Sequence, residues 1–97
     1  MIRPYSLKLT VNFIKEGKQV VAYAPALDIS TVGKTEKQAK ERFQELVAIF
    51  LKDITERNVK DEVLTELGWT KVAVRNRPSQ WVPPVVTSEV LPVPMMA

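Results

Sequence analysis

The chain has 97 residues and a formal net charge of +3, and it contains neither cysteine nor histidine. This length predicts one domain, and the missing cysteine excludes disulfides, thiol nucleophiles and thiolate metal ligands. The missing histidine removes the commonest general base near neutral pH, which excludes histidine-based triads and zinc hydrolases and argues against an enzyme.

The first ten residues, MIRPYSLKLT, are too polar for a signal peptide, and no apolar run approaches a membrane span. We therefore expect a cytoplasmic protein.

Strict alternation of apolar and polar residues over 5–13 predicts a strand, and a polar turn at Gly17 followed by QVVAYA completes a β-hairpin over 5–24. Pro25 cannot donate to a strand ladder and ends the second strand. The short segment DISTV then predicts a third strand near the sheet margin.

Gly33, Lys34 and Thr35 stand directly before a helical pattern, as the last residues of a phosphate-binding loop do. Such a loop needs glycine five positions before the Gly-Lys pair, and this position is Asp28, whose carboxylate repels phosphate. TEKQ instead predicts a capping box, in which the Thr35 hydroxyl accepts from the backbone N–H of Gln38 and the Gln38 side chain reaches back. The motif therefore indicates a helix start, and no cofactor is predicted.

The longest predicted element is a helix over residues 36–58. Its apolar residues recur at steps of three and four and form one stripe: Ala39, Phe43, Leu46, Val47, Phe50 and Ile54. Ile49 and Leu51 widen this stripe beyond what one small sheet needs. We expect them to contact later chain segments or a second subunit.

The second half of the chain begins with a predicted short helix over 61–68, with Asp61 as its cap and Gly68 in the left-handed conformation after it. WTKVAV then alternates as a fourth strand. Residues 76–97 hold five of the seven prolines and no helical period. We predict a domain over 1–75 and an extended proline-rich tail over 76–97, in which VVTSEV is a candidate edge strand.

Acidic residues do not form the convergent cluster that metal catalysis needs. Glu16 and Asp28 are accounted for by turns, and Asp61 and Glu62 by the start of the second helix. No metal site is predicted.

The densest basic run, Lys71, Arg75 and Arg77, is flanked by Trp69 and Trp81. This pattern is typical of a stacking platform for RNA, and also of a solvated strand face between two packed tryptophans. The small net charge does not favour nucleic-acid binding, for which a dense stripe of basic residues is expected.

Residues 20–54, VVAYAPALDISTVGKTEKQAKERFQELVAIFLKDI, resemble the HicB-like antitoxin family. That family typically shows a Tyr-x-Pro stretch leaving the second strand, a short third strand, and a Gly-x-Thr helix start followed by Glu- and Ala-rich turns. The matching positions are Tyr23, Pro25, Gly33, Thr35 and Ala39. With the first strand, the likeness covers residues 5 to about 55, over half the chain.

The resemblance implies an α+β fold, in which one long helix packs on one face of an antiparallel sheet. With the elements predicted from the residues, the order is three strands, the long helix, a short helix and a fourth strand. It also implies a non-enzymatic protein that binds a small HicA-like ribonuclease toxin and blocks its active site. The candidate partner-binding residues are Tyr23, Pro25, Leu27, Asp28 and Trp81, and Thr35 and Gln38 form the structural helix cap.

Two features depart from the family pattern. Leu-Asp-Ile stands where Pro-Gly-Cys is often found after the proline. DEVLTELGWTKVAV and the tail stand where many members carry a helix-turn-helix or ribbon-helix-helix, which argues against operator binding.

An alternative from a different functional class is an orphan domain that acts as an oligomeric scaffold or a weak RNA-binding module. WVPPVV places Trp81, Val82, Val85 and Val86 on a segment without an evident packing partner. Small monomers rarely expose so large an apolar patch, so we expect a homodimer or higher oligomer. The alternative to an oligomer is a tail that folds back over its own sheet and covers the patch alone.

Overall fold

A computed structural model describes residues 8–96 of the chain. In chain order the elements are β1 (Asn12–Glu16), β2 (Gln19–Ala24), β3 (Ile29–Gly33), α1 (Glu36–Glu56), α2 (Lys60–Glu66), β4 (Thr70–Val72) and β5 (Gln80–Val82). The predicted α+β class is confirmed. Within this described range, no helix combines the length and the apolar character that crossing a membrane requires.

The first three strands form an antiparallel sheet in the order β1-β2-β3. Glu16 pairs with Gln19, so the predicted hairpin closes through a two-residue loop, and Gly17 at its first position has φ +58°. A positive φ at this position is what a tight hairpin turn of this kind needs. β1 starts later than the alternation predicted, and the beginning of the predicted strand lies outside the described residues. β3 is an edge strand, as expected.

The start of α1 confirms the predicted cap. The Thr35 hydroxyl accepts a hydrogen bond from the backbone N–H of Gln38 at 3.1 Å. The Gln38 side chain reaches back, and its Oε1 accepts from the backbone N–H of Lys34 at 2.7 Å. Two N–H groups at the helix start are thereby satisfied.

The apolar stripe of α1 packs on β2 and β3. Its buried members are Ala39, Phe43, Val47 and Ile54. The stripe is narrower than predicted, because Leu46 is 36% exposed. Of the two residues that widened it in the sequence, Leu51 packs partly against the core, whereas Ile49 is 65% exposed.

Gly33 allows β3 and α1 to approach closely. A Cβ atom at this position would lie 2.5 Å from the backbone nitrogen of Ala39 and 2.9 Å from its Cα. No larger residue fits without a backbone shift, since the atoms it would meet belong to the main chain. The Gly-x-Thr element therefore has a packing role at its first residue and a capping role at its last.

Both helices end in a Schellman motif. After α1, Asn58 (φ +57°) donates its N–H to the Thr55 carbonyl at 3.1 Å, and Val59 donates to the Ile54 carbonyl at 2.9 Å. After α2, Gly68 (φ +90°) occupies the corresponding position, as its sequence context predicted.

The prediction that Asp61 caps α2 was wrong. The Schellman turn at Asn58 leads directly into Val59, which is the N-cap and makes no side-chain capping bond. Asp61 consequently falls inside the first turn, where its Oδ2 accepts a hydrogen bond from Lys71 Nζ at 3.0 Å.

The predicted fourth strand does not extend the first sheet. β4 pairs antiparallel with β5, with Lys71 opposite Trp81, and these two strands form a second sheet. β5 lies inside the segment predicted as a tail, and VVTSEV forms no strand. Trp81 is 8% exposed and belongs to the same buried cluster as Phe43 and Ile54, so part of the proline-rich segment folds back on the domain.

Candidate protein-binding surface at the β2–β3 turn

Four residues, 25–28, connect β2 to β3. The N–H of Leu27 donates to the Ala24 carbonyl and the N–H of Asp28 donates to the Pro25 carbonyl, each at 3.2 Å. Asp28 then adopts φ +52°, a left-handed conformation that aspartate tolerates better than most residues, and the chain enters β3. These consecutive bonds give the turn a defined backbone.

A tryptophan from the second half of the chain holds this turn in place. Trp69 Nε1 donates to the Ala26 carbonyl at 2.8 Å across 43 residues of sequence. The Trp69 side chain is 3% exposed and Ala26 is equally buried, so the bond is shielded from water. A buried indole N–H needs an acceptor, which is the sequence signal for such a bond, but the sequence does not reveal that Ala26 supplies it.

Tyr23 and Asp28 form the polar side of the turn. The Tyr23 hydroxyl donates to Asp28 Oδ1 at 3.1 Å. This hydrogen bond, with smaller contributions from burial and from the carboxylate charge, raises the pKa of Tyr23 above its ordinary value of 10.0. The bond is therefore intact at neutral pH and is lost only as the pH rises through that raised pKa.

The candidate partner-binding residues divide into two groups by accessibility. Tyr23 and Pro25 are half-buried and Asp28 is exposed, so these three line an accessible surface at one end of the sheet. Leu27 is 3% exposed and Trp81 is 8% exposed, and both belong to the core. In this conformation a partner can contact the three accessible residues, whereas Leu27 and Trp81 are part of the core beneath them.

The basic run lies on the β4–β5 hairpin. Lys71 bonds to Asp61 and places its Nζ 5.8 Å from the centroid of the Trp81 ring. Both flanking tryptophans are buried, which agrees with the packed alternative and leaves no ring face of the kind that stacks on bases. Arg75 and Arg77 are exposed near the tip of the hairpin.

Within residues 8–96, no group of three or more acidic side chains is placed to hold a metal ion. What the turn offers is one carboxylate, one phenol and a half-buried proline ring. This combination suits contact with another protein surface.

Comparison with known proteins finds no matching family model, and no curated protein or solved structure matches significantly. The HicB-like resemblance therefore depends on the residues and elements of the chain itself.

Proposed function

We propose that this chain is a non-enzymatic binding protein of the HicB-like antitoxin type, which masks the surface of a small HicA-like ribonuclease. The observation that carries the proposal is the braced β2–β3 turn, which displays Tyr23 and Pro25 of the Tyr-x-Pro stretch beside Asp28. The absence of histidine and cysteine from the sequence also supports a role in binding.

The hydrogen bonds that hold the turn in one conformation favour protein binding. A loop that is ordered before it meets its partner loses less conformational entropy on binding, so more of the contact energy contributes to affinity. Tyrosine is among the residue types that dominate protein interfaces, and Tyr23 is held in place by its bond to Asp28.

The charge of the turn suits a ribonuclease partner. An enzyme that binds RNA presents positive charge to the phosphates, and an exposed carboxylate complements such a surface. Asp28 is the acidic residue of this turn, and its exposed position allows it to enter a basic cleft.

The expected partner is a small basic protein with one catalytic histidine, encoded by a neighbouring gene. We expect it to co-purify with the tagged full-length chain. Tyr23→Ala should weaken the complex at least tenfold, as substitutions at central interface positions do. Asp28→Asn retains the side-chain shape and the tolerance for positive φ but removes the charge, and it should weaken binding mainly at low salt.

The matched control is Glu41→Gln, which removes an exposed carboxylate from α1 and should leave binding unchanged. If Tyr23→Ala and Asp28→Asn bind as tightly as the original chain, the turn is not the contact surface. If no neighbouring ribonuclease binds the chain at all, the antitoxin proposal is wrong.

Weak RNA binding is the second candidate, and the exposed Arg75 and Arg77 favour it. With both tryptophans buried, binding would depend on phosphate contacts and should weaken steeply as salt rises. A gel shift with single-stranded RNA at low salt tests it against the Arg75→Gln/Arg77→Gln variant. An unshifted band with the original chain rejects this candidate.

A further inference from the structure

An open apolar groove of about 430 Å³ lies between the first sheet and α1. Its walls are apolar side chains from residues 9–13 on one side and from α1 on the other: Leu9, Val11, Phe13, Phe43, Val47 and Leu51. Lys40 and Gln44 are the polar lining residues, and both are exposed. An apolar channel with a charged rim is suited to a peptide segment that is apolar and carries a negative charge.

The groove exists because α1 is displaced towards one side of the sheet. The helix packs on β2 and β3, which leaves the β1 side of the sheet less covered. β1 is also an edge strand, so among residues 8–96 no strand pairs with its outer side. Such an edge offers backbone N–H and C=O groups to an incoming extended segment.

The C-terminal segment of the same chain is apolar and exposed, and is therefore complementary to the groove. Pro84 lies beside Gly68, and beyond Val86 every described residue is exposed. The exposed apolar residues of this end include Val90 at 98%, Leu91 at 64%, Val93 at 78% and Met96 at 96%. We call residues 87–96 the free tail. It has no helix or strand of its own, and its apolar side chains are largely exposed.

The charge and the length of the free tail also match those of the groove. Glu89 is the single charged side chain between residue 78 and the end of the sequence, and Lys40 is the charged side chain that lines the groove. The lining residues of α1 run from Lys40 to Leu51, which is about 16 Å at the rise of a helix. Ten extended residues span up to about 33 Å, so the free tail is long enough to cross the groove.

We propose that the groove binds the free tail of a second copy of this chain. Among the described residues the lining ends at Leu51, so the chain's own tail does not fill the groove. The molecule is elongated, with principal dimensions of 58 × 29 × 22 Å, as a projecting tail requires. Reciprocal exchange of two tails gives a closed dimer with two identical contacts, in which each exposed apolar tail becomes covered.

Cysteine crosslinking tests this exchange directly, because the chain has no cysteine of its own. Gln44→Cys is placed in the groove of one full-length chain. Val90→Cys or Leu91→Cys is placed in the tail of another chain that carries a mass tag. After mixing and mild oxidation, we expect a disulfide-linked pair of one tagged and one untagged chain.

The matched control is Ile49→Cys, an exposed position on α1 that points away from the groove, since it is about half a turn from Gln44 and Leu51. This variant should give at least tenfold less mixed product with the same tail cysteines. Equal yields from both helix positions would mean random collision and would overturn the proposal. A further variant carries both Gln44→Cys and Val90→Cys in one chain. If its disulfide forms only within that chain, the tail occupies its own groove and the proposal is wrong.

Light scattering gives an independent readout. The full chain should have twice the 11.0 kDa mass of one copy, and a chain that stops after Val86 should be a monomer. Val90→Asp should weaken the dimer without affecting folding, because the residue is 98% exposed. A truncated chain that remains dimeric excludes the tail as the link between copies.

The exposed pair Lys40 and Glu89 provides a finer test. Lys40→Glu or Glu89→Lys should each weaken dimerisation about two- to fivefold, as expected for a surface ion pair. The combined exchange should restore most of the loss. If the two changes are instead additive, the two side chains do not meet and the proposed alignment of tail and groove is wrong.

Discussion

Residues 12–56 and residues 57–96 are two halves built by different means. In the first half, each strand is joined to the next by a short turn and the helix follows directly, so neighbours in sequence are neighbours in space. In the second half, Trp69 bonds to a carbonyl 43 residues earlier, and Trp81 enters a core formed largely by the first half. The first half is therefore held together mainly by contacts between neighbours in sequence, whereas the second half depends on contacts with the first.

Trp69→Ala should give the largest effect, because Trp69 connects the two halves. Replacing a buried tryptophan with alanine usually costs about 3–5 kcal/mol, a large part of the stability of a small domain. Denaturant unfolding measures the loss. A decrease below about 1 kcal/mol would show that the second half contributes little to the stability of the fold.

Trp69→Phe separates the hydrogen bond from the packing. It keeps an aromatic ring but removes the N–H, which leaves the buried Ala26 carbonyl without its donor. We expect a loss of about 1–3 kcal/mol, smaller than that of Trp69→Ala. Hydrogen exchange of the Leu27 and Asp28 amides should accelerate in this variant, since the β2–β3 turn loses its brace. Unchanged exchange at these amides would show that the turn is rigid without Trp69.

Gly33→Ala probes the first half at its closest contact. The added methyl group would meet the backbone of Ala39 at 2.5 Å, so β3 and α1 must move apart. Overpacking of this kind typically costs about 1–3 kcal/mol. Thermal unfolding measures it, with Gly17→Asn as a control at an open turn that tolerates positive φ. Equal unfolding temperatures for Gly33→Ala and the original chain would contradict the close contact.

The two halves also differ in how well the sequence predicts them. TEKQ identified the cap of α1, and Pro25 identified the end of β2, because each signal acts on backbone groups within four residues. The pairing of β4 with β5 was not predicted, since a three-residue strand such as QWV has no periodicity of its own. The residues of the β2–β3 turn were named from the sequence, but the burial of Leu27 and the brace from Trp69 depend on tertiary packing.

Thr35→Ala should cost about 1 kcal/mol and should change nothing else, since the hydroxyl satisfies one N–H at the start of α1. Thr35→Ser keeps the cap and serves as the control. A measurable nucleotide affinity that disappears in Thr35→Ala would show that the capping interpretation is incomplete.

The smallest expected effect is on the titration of Tyr23. Its pKa lies above 10.0 because its hydroxyl donates to Asp28, so its ultraviolet tyrosinate signal should appear at higher pH than that of a free tyrosine. Tyr5→Phe removes the other tyrosine so that the signal belongs to Tyr23 alone. Asp28→Asn should move the titration to lower pH, because it removes the carboxylate that stabilises the protonated phenol. An unchanged titration would mean that the two side chains do not interact in solution.

The most direct test of the proposed function asks whether the purified chain inhibits RNA cleavage by a HicA-like ribonuclease, should a neighbouring gene encode one. We expect cleavage to stop when the purified chain reaches a stoichiometric amount. We also expect the Tyr23→Ala/Asp28→Asn double variant, which keeps the core intact, to restore most of the activity. Full ribonuclease activity in the presence of an excess of the folded original chain would contradict the account.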